Sequence, residues 1–438
     1  VAELARDAAA LVESLVLQHF GPGDSGADSA GLENAVGEIA AATGRDILRS
    51  LIEARDVSEP RLMRDGEPRR LAGRSSRTVM TMMGPVEYER SRYRRRGRPS
   101  WMPADDSLGL MAGWMTRPAA KTSLFAVSHC TFQDAEEILR RAGPMAPSAS
   151  ALQDLSAAMH GSWREVEDAT LERVRAMEGV PPAAVSASAS LDGVMISMRS
   201  GEGGREEACW REASCAALSF RDRDGERLSS VCIGRMPEEG KAGLKARLWK
   251  EVEAARAMRP DLALVAVAHA APDNWSFLSK LDPEEEAVDF WHACEHLATV
   301  AAHARDPDAW FRRWRDELKD GRGGVDRVIR SIRHLRNSRA AGRADLEREL
   351  NFFRKNRSRM RYRELQDRKL PIGSGIVEAA NKTLVACRMK GSGMRWSMAG
   401  GQAVPAFRAL IKSGRFDRAW EAMAANDNRA AALKPLAA

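Results

Sequence analysis

The chain has 438 residues, of which 44% are hydrophobic and 29% are charged. This composition is typical of a globular protein of two or three domains and argues against a disordered or peptide-sized one. The net charge of +7 favours a polyanionic partner. The six cysteines form no C-x-x-C pair, so we expect free thiols in a reducing compartment. No apolar run approaches the roughly 18 residues of a membrane helix, and we expect a cytoplasmic protein without a membrane partner.

Basic residues concentrate in two runs, "ERSRYRRRGR" (89–98) and "FRKNRSRMRYRELQDRKL" (353–370). The second run holds eight Lys or Arg against two acids. Aromatic residues lie among the arginines in both runs, which is typical of surfaces that bind nucleic acid. A solvated helix face explains a charge run as well, so that interpretation stays open.

Residues 1–160 are predicted to form a mainly helical DNA-binding region with a small β segment. Helical periodicity up to about residue 60 is interrupted by the loop "GPGDSGADSAG" (21–31). The stretch "RTVMTMMGPVEYERSRYR" alternates like a hairpin that turns near Gly84 and Pro85. The pattern of "TFQDAEEILRRAGPMAPSASALQDLSAAM" is that of a helix-turn-helix. Its second helix has no Lys or Arg, so a purely structural helix pair fits equally well.

A mixed α/β core is predicted for residues 183–305. Three antiparallel strands are expected in "AAVSASASLDGVMISM", "EACWREASCAALSF" and "ERLSSVCIGRM", with the second turn at Arg223-Asp224-Gly225. A helix then leads to a fourth strand in "LALVAVAHAAPDNW", and "EEAVDFWHACEHLATVAAHA" supplies a fifth strand that runs into a helix. Residues 306–371 show only charged helical patterns, which predicts an all-helical insertion. Residues 372–400 return to the core, and residues 401–438 form a C-terminal helix and tail.

Three polar residues stand out in this core. Asp192 lies in the first strand, where burial of a carboxylate is unfavourable unless the carboxylate binds something. His269 ends the fourth strand, and Glu378 lies one turn into a helix, where the helix dipole alone could account for it. An acid on the first strand, a polar residue ending the fourth and a glutamate on a later helix is the arrangement of ribonuclease-H-like nucleotidyl transferases. Their chemistry uses two Mg²⁺ ions held by carboxylates.

The runs "SLDGVMISM", "DNWSFL", "DFWHACEHL", "RSRMRYRELQDRKLPIGSGIVEAANKTLV" and "RMKGSGMRW" resemble those of DDE transposases from bacterial insertion sequences. The resemblance is to the ISKra-type family, related to the Mutator-like group, and covers at least Leu191 to Trp396, with "LGLMAGWMT" upstream. It implies a ribonuclease-H-like sheet and an enzyme that binds element ends, cuts DNA and joins the freed 3′-hydroxyl to a target. Two Mg²⁺ or Mn²⁺ ions, double-stranded DNA and other copies of the chain are the implied partners, in the bacterial nucleoid.

The resemblance also implies roles for individual residues. Asp192 matches the first catalytic acid and Glu378 the last, and both are expected to bind metal. Asp289 and His292 match a D-x-x-H signature, although His292 could instead be a structural residue beside Trp291. The predicted DNA-binding residues are Arg94, Arg95, Arg96, Arg357, Arg359, Arg361, Arg363, Lys390 and Arg395.

The chain departs from the family pattern at the second catalytic acid. Relatives have A-D-G-A where this chain has Ala268-His269-Ala270-Ala271, so His269 replaces the aspartate. A neutral imidazole cannot bridge two Mg²⁺ ions as a carboxylate does, and one negative charge is lost. Three interpretations stay open. Catalysis is absent, or Asp273 acts as the second acid, although helix capping also accounts for Asp273, or His269 supports weak activity with Mn²⁺.

A second departure concerns the N-terminal region. Relatives carry paired cysteines near the β segment, whereas "RYRRRGRPSWMP" has none, so DNA binding there would rest on arginine contacts to phosphate. The sequence therefore predicts a transposase with impaired catalysis. The alternatives are a non-catalytic DNA-binding protein derived from a transposase and a ribonuclease-H-like nuclease. The nuclease fits less well, because a long helical insertion before the last acid suits a synaptic assembly.

Overall fold

The computed structural model describes residues 28–200, 207–338 and 342–433, with isolated positions before residue 20. The chain forms two compact units, one of residues 1–167 and 420–438 and one of residues 168–419. The segment 401–438, predicted as one piece, is thus divided between them. Most of the predicted N-terminal helix and loop, and the last five residues of the tail, lie outside the described residues. Within the described ranges, no helix is long and apolar enough to cross a membrane.

The first unit contains a four-stranded antiparallel sheet in the order β1-β2-β3-β4. Its leading elements are α1 (Ser29–Glu53), β1 (Arg61–Arg64), β2 (Glu67–Thr81), β3 (Gly84–Arg95) and β4 (Arg98–Trp101). The predicted hairpin is confirmed as β2 and β3. Gly84 has φ +92°, and a Cβ there would approach the carbonyl oxygen of Pro144 to 2.9 Å, so the position requires glycine.

This sheet is larger than the predicted β segment. Strand β1 and the first half of β2 are rich in arginine, and they lack the apolar alternation that reveals a strand in a sequence. The region is therefore less helical than expected. Its helices after the sheet are α2 (Pro103–Leu108), α3 (Arg117–His129), α4 (Phe132–Ala142) and α5 (Ala149–Glu178).

Helices α4 and α5 occupy the predicted helix-turn-helix. The Thr131 hydroxyl caps α4 by accepting a hydrogen bond from the Asp134 amide at 3.0 Å. Helix α5 runs for 30 residues, and its first half buries Leu152, Leu155, Met159 and Trp163. This burial favours the structural helix pair over a recognition helix.

The second unit contains a five-stranded mixed sheet in the order β7-β6-β5-β8-β9. Its strands are β5 (Ser186–Ser200), β6 (Glu207–Arg221), β7 (Arg227–Arg235), β8 (Ala263–Ala268) and β9 (Glu285–Val288), and all five predicted strands are confirmed. Strands β5, β6 and β7 are antiparallel neighbours, whereas β8 lies parallel to β5 and β9 parallel to β8. The predicted turn before β7 is present, and its Gly225 has φ +83°.

Both faces of this sheet are covered. Alternate residues of β6 enter two different cores, with Ala216 and Leu218 in one and Cys215 and Ala217 in the other. The first core includes residues of α6 (Ala242–Met258), α7 (Pro272–Leu278) and α8 (Phe290–Ala301). The second includes residues of α13 (Gly375–Ala380), a π-helical turn (Asn381–Ala386), α14 (Cys387–Met389) and α16 (Ala403–Lys412).

The all-helical insertion is confirmed over the described residues 306–338 and 342–371. It comprises α9 (Pro307–Asp320), α10 (Gly324–Ser338), α11 (Arg343–Lys355), a 3₁₀ turn (Arg357–Arg359) and α12 (Tyr362–Asp367). Its apolar residues join the first core, among them Val328, Ile332, Leu350 and Phe353. Two further helices complete the described chain, α15 (Met398–Gly401) and α17 (Phe416–Leu433).

Candidate active site and metal centre

The candidate site lies at one edge of the mixed sheet, where β8 and β9 end. Strand β8 pairs with β5 only as far as Ala189 and Ala266, so Asp192 extends beyond that pairing. His269 directly follows β8, and Asp289 directly follows β9. Because the carboxyl ends of parallel strands meet at one edge, these three side chains are brought together.

The ligand atoms of His269, Asp289 and Glu378 all lie within 4.8 Å of one another. The imidazole Nδ1 of His269 lies 3.7 Å from Oδ1 of Asp192. The structure therefore brings His269 close to Asp192, Asp289 and Glu378, all four of which are site residues that the sequence predicted. The site is partly open, since the side chains of His269 and Asp192 are 31% and 21% exposed.

Asp289 is buried and accepts hydrogen bonds from two segments of the site. It is 1% exposed, and its Oδ1 accepts the backbone amide of His292 at 2.7 Å, which caps α8. Its Oδ2 accepts the backbone amide of Ser374 at 2.5 Å and lies 2.9 Å from the Ser374 hydroxyl. That hydroxyl is also 3.1 Å from Oε1 of Glu378. Asp289 thus fixes the turn that starts the Glu378 helix against the end of β9.

Asn381 connects that helix to Asp192. It follows Glu378 by three positions and so shares its helix face. The amide Nδ2 of Asn381 donates to Oδ2 of Asp192 at 2.6 Å. Its Oδ1 is buried and has no hydrogen-bond partner among the described residues. A π-helical turn begins at Asn381, and such turns are frequent at functional sites.

Three histidines, His269, His292 and His296, contact one another in sequence between the site and the insertion. The rings of His269 and His292 stack with centroids 4.5 Å apart, and His292 meets His296 edge to face at 4.9 Å. His296 Nδ1 lies 2.5 Å from Oε2 of the buried Glu349 on α11, and its ring stacks on Phe352. Burial lowers the pKa of His292, and the neighbouring His269 lowers it further.

The alternative second acid, Asp273, lies outside this cluster. It occupies the first turn of α7, its side chain is 60% exposed, and it pairs with Lys245 at 2.9 Å. The favourable interaction of a first-turn acid with the helix dipole and this ion pair account for Asp273 without a catalytic role, although its side chain caps no backbone amide among the described residues.

The donor set fits a divalent cation. Carboxylate oxygens and one neutral imidazole suit Mn²⁺ better than Mg²⁺, which prefers oxygen ligands alone. The unpartnered Oδ1 of Asn381 is an oxygen donor that a nearby cation would satisfy. Three carboxylates lie near position 269 although the residue there is not an acid, since Asp289 and Glu378 lie within 4.8 Å of His269 and Asp192 lies 3.7 Å from it.

Most predicted DNA-binding arginines of the second unit are engaged in ion pairs. Within the run from 357 to 363 the pairs are Arg357–Asp326, Arg359–Glu286, Arg361–Glu285 and Arg363–Asp367. The partners Glu285 and Glu286 belong to β9, so the run lies along the edge of the sheet. These pairs neutralise charge locally, and DNA binding by the run stays a prediction.

The remaining predicted basic residues are exposed. Lys390 and Arg395 flank the turn after α14, which leads to Trp396, and Trp396 forms a parallel bridge with Met198 of β5. In the first unit, Arg94 and Arg96 are exposed, whereas Arg95 pairs with Glu67 at 3.2 Å.

Sequence reasoning missed four residues of the site, namely Ser374, Asn381, His296 and Glu349. Two signals were present. His292 and His296 are four residues apart on one helix, and Glu378 and Asn381 are three apart, so each pair shares a face. The pairing of Glu349 with His296 spans 53 positions, and no local pattern predicts it.

No protein-family model matches the chain, and no curated protein matches it in sequence. The function therefore has to be argued from the motifs and from the geometry of the site.

Proposed function

We propose that the chain is an insertion-sequence transposase of the ISKra-type DDE family, with a ribonuclease-H-like core and weakened catalysis. The observation that supports this most is the meeting of Asp192, His269, Asp289 and Glu378 at one sheet edge. These residues come from the first, fourth and fifth strands of the unit and from a helix after a long insertion. This is the placement that the resemblance implies.

The order of the strands supports the same proposal. The first strand of the unit, β5, is central, and the fourth, β8, lies beside it in parallel. The first acid and the residue at the second-acid position therefore become neighbours. The all-helical insertion lies in the chain between the fifth strand and the Glu378 helix. Asp289 fixes the start of that helix by accepting a hydrogen bond from the Ser374 amide.

The chemistry follows from the side chains. Asp192, Glu378 and Asp289 would supply oxygens, and His269 a nitrogen, to a divalent cation at this site. A bound cation would supply charge stabilisation at the attacking and leaving oxygens in phosphodiester cleavage. Asn381 orients Asp192 through its 2.6 Å hydrogen bond. His292 stacks on His269 and keeps that imidazole facing the site.

The rival function is DNA binding without catalysis. Two observations favour it. His269 cannot bridge two ions, and both oxygens of Asp289 already accept hydrogen bonds from the backbone. A cleavage assay separates the two functions because they share the DNA partner.

The experiment uses the full chain and a duplex that carries the DNA flanking its gene. Strand cleavage is followed with Mg²⁺ and with Mn²⁺ for the natural protein, for Glu378→Gln and for Asp273→Asn. We expect weak cleavage that is stronger with Mn²⁺, that Glu378→Gln abolishes and that Asp273→Asn leaves unchanged. Asp273 is a matched control, because it is an acid near the same edge that is engaged with Lys245.

The outcomes separate the hypotheses. Cleavage that survives Glu378→Gln would overturn the assignment of the site. Loss of cleavage in Asp273→Asn would identify Asp273 as the second acid. A protein that binds the duplex but cleaves it with neither metal would support the non-catalytic function.

A further inference from the structure

The positive charge of the chain is concentrated in the sheet of the first unit. Residues 61–101 contain 12 arginines, no lysine and four acids, a net charge of +8, whereas the whole chain carries +7. The rest of the protein is therefore close to neutral. An excess of this size on one small sheet is destabilised by mutual repulsion, and pairing with acids or with a polyanion relieves that repulsion.

Three of these arginines form a row across the strands. Arg61 of β1 lies directly opposite Arg70 of β2, and Arg70 lies directly opposite Arg94 of β3. Residues that face each other across antiparallel strands project from the same side, with Cβ atoms about 5 Å apart. All three are exposed. Like charges directly opposite one another destabilise a sheet, so this register is unfavourable for the isolated protein.

On the other side of the same strands, the arginines have partners. There, Glu67 pairs with Arg95 at 3.2 Å and with Arg98 at 3.3 Å. Arg64 pairs with Asp106 and lies over the ring of Trp101. Arg69 is buried and donates to the carbonyl oxygen of Pro99 at 2.8 Å.

The row has no such partners. Within the described residues, no carboxylate pairs with Arg61, Arg70 or Arg94, and Arg94 has only the Ser100 hydroxyl at 3.3 Å. The consecutive arginines 94 and 95 thus project to opposite sides of the sheet, one unpaired and one neutralised.

We infer that the row Arg61–Arg70–Arg94 binds the sugar-phosphate backbone of double-stranded DNA. A row of arginines across neighbouring strands presents several planar guanidinium groups along one line, and these groups match the geometry of phosphate oxygens. The long side chains can spread beyond the spacing of the strands to reach neighbouring phosphates. The absence of lysine from this sheet agrees, because arginine binds phosphate in a bidentate manner. The row contacts no base edges, so it provides affinity and orientation without sequence preference.

The choice of DNA as the polyanion rests on the proposed function, and the test keeps the two apart. Binding of the full chain to a 30-base-pair duplex of arbitrary sequence is measured by fluorescence anisotropy between 50 and 200 mM KCl, without divalent metal. The variants are the triple substitution Arg61→Gln, Arg70→Gln, Arg94→Gln and a matched control, Arg74→Gln, Arg98→Gln, Arg140→Gln. The control removes the same charge from arginines that are paired with Glu89, Glu67 and Glu137.

Each phosphate contact contributes about 0.9 to the slope of log affinity against log salt, so loss of three contacts should reduce the slope by about 2.7. Over the fourfold range of salt, the natural protein should then lose about 40-fold more affinity than the row variant. The control should change the slope by less than about one contact, ~0.9. Circular dichroism verifies that both variants are folded.

The inference would be overturned if the row variant and the natural protein had equal salt slopes of duplex binding. It would also be overturned if the row variant and the control lost equal amounts of salt slope. The same variants are tested on vesicles containing phosphatidylserine, and a row that acts there but not on the duplex would also overturn it. Failure of metal-dependent cleavage leaves this measurement unaffected, because no metal or cleavage enters it.

Discussion

Restoring an aspartate at position 269 is the most direct test of how the site binds metal. In the variant His269→Asp, combined with Ala270→Gly to recover the family pattern, a carboxylate replaces the imidazole that stands between Asp192 and the other ligands. The natural ligand atoms at this position lie 3.7 Å from Asp192 and within 4.8 Å of Asp289 and Glu378. The variant therefore brings four carboxylates together.

The magnitude follows from Coulomb's law. Two unit charges 4.8 Å apart repel by roughly 3.5 kcal/mol at an effective dielectric constant of about 20. Without metal, the variant is expected to hold an extra proton or to lose stability. A divalent cation cancels the repulsion, and relief of only about 1.4 kcal/mol raises affinity about tenfold. We expect Mg²⁺ to bind at least about tenfold more tightly than in the natural protein, with release of a proton.

Calorimetric titration with Mg²⁺ in two buffers of different ionisation enthalpy measures the Mg²⁺ affinity and the number of protons released. Cleavage of the flanking duplex should increase in parallel, and Glu378→Gln in the restored protein should abolish that gain. Equal Mg²⁺ affinity and equal proton release in the natural and restored proteins would refute the reasoning. That result would mean that His269 is not at the metal position.

Three further predictions follow from particular contacts. Asn381→Ala removes the 2.6 Å hydrogen bond to Asp192 and should weaken Mn²⁺ binding about tenfold without changing the circular dichroism spectrum. Ser374→Ala removes the hydroxyl between Asp289 and Glu378 and should lower the free energy of unfolding by about 1–2 kcal/mol in urea, whereas Ser374→Thr should retain most of it. Burial raises the pKa of Cys294 to about 12, so Ellman's reagent should react quickly with the exposed Cys387 and slowly with Cys294, and equal rates would contradict the described packing.

The arginine run of the insertion illustrates how structure alters an expectation from sequence. Eight basic residues in 18 positions favoured DNA binding, but the four arginines from 357 to 363 are paired with acids. Two of these acids, Glu285 and Glu286, lie on β9, about 75 positions earlier in the chain. Neutralising Arg357, Arg359, Arg361 and Arg363 should therefore reduce the salt slope of duplex binding less than the loss of the row Arg61–Arg70–Arg94. Composition cannot show whether a guanidinium is paired, because pairing is decided by long-range contacts.

The sequence by itself determined the strands of the mixed sheet and the helical character of the insertion. It also determined the candidate site residues, namely Asp192, His269, Asp289, His292 and Glu378. Strand and helix periodicity are local, and the site residues stand at strand ends or helix starts that local patterns mark. Only the tertiary structure decided that Asp289 lies within 4.8 Å of His269 and Glu378, that Asn381 donates to Asp192, and that Glu349 lies against His296. It also decided that Arg94 and Arg95 face opposite sides of a sheet that the sequence underestimated. These features depend on which strands pair and in which register, and that is set by packing between segments far apart in the chain.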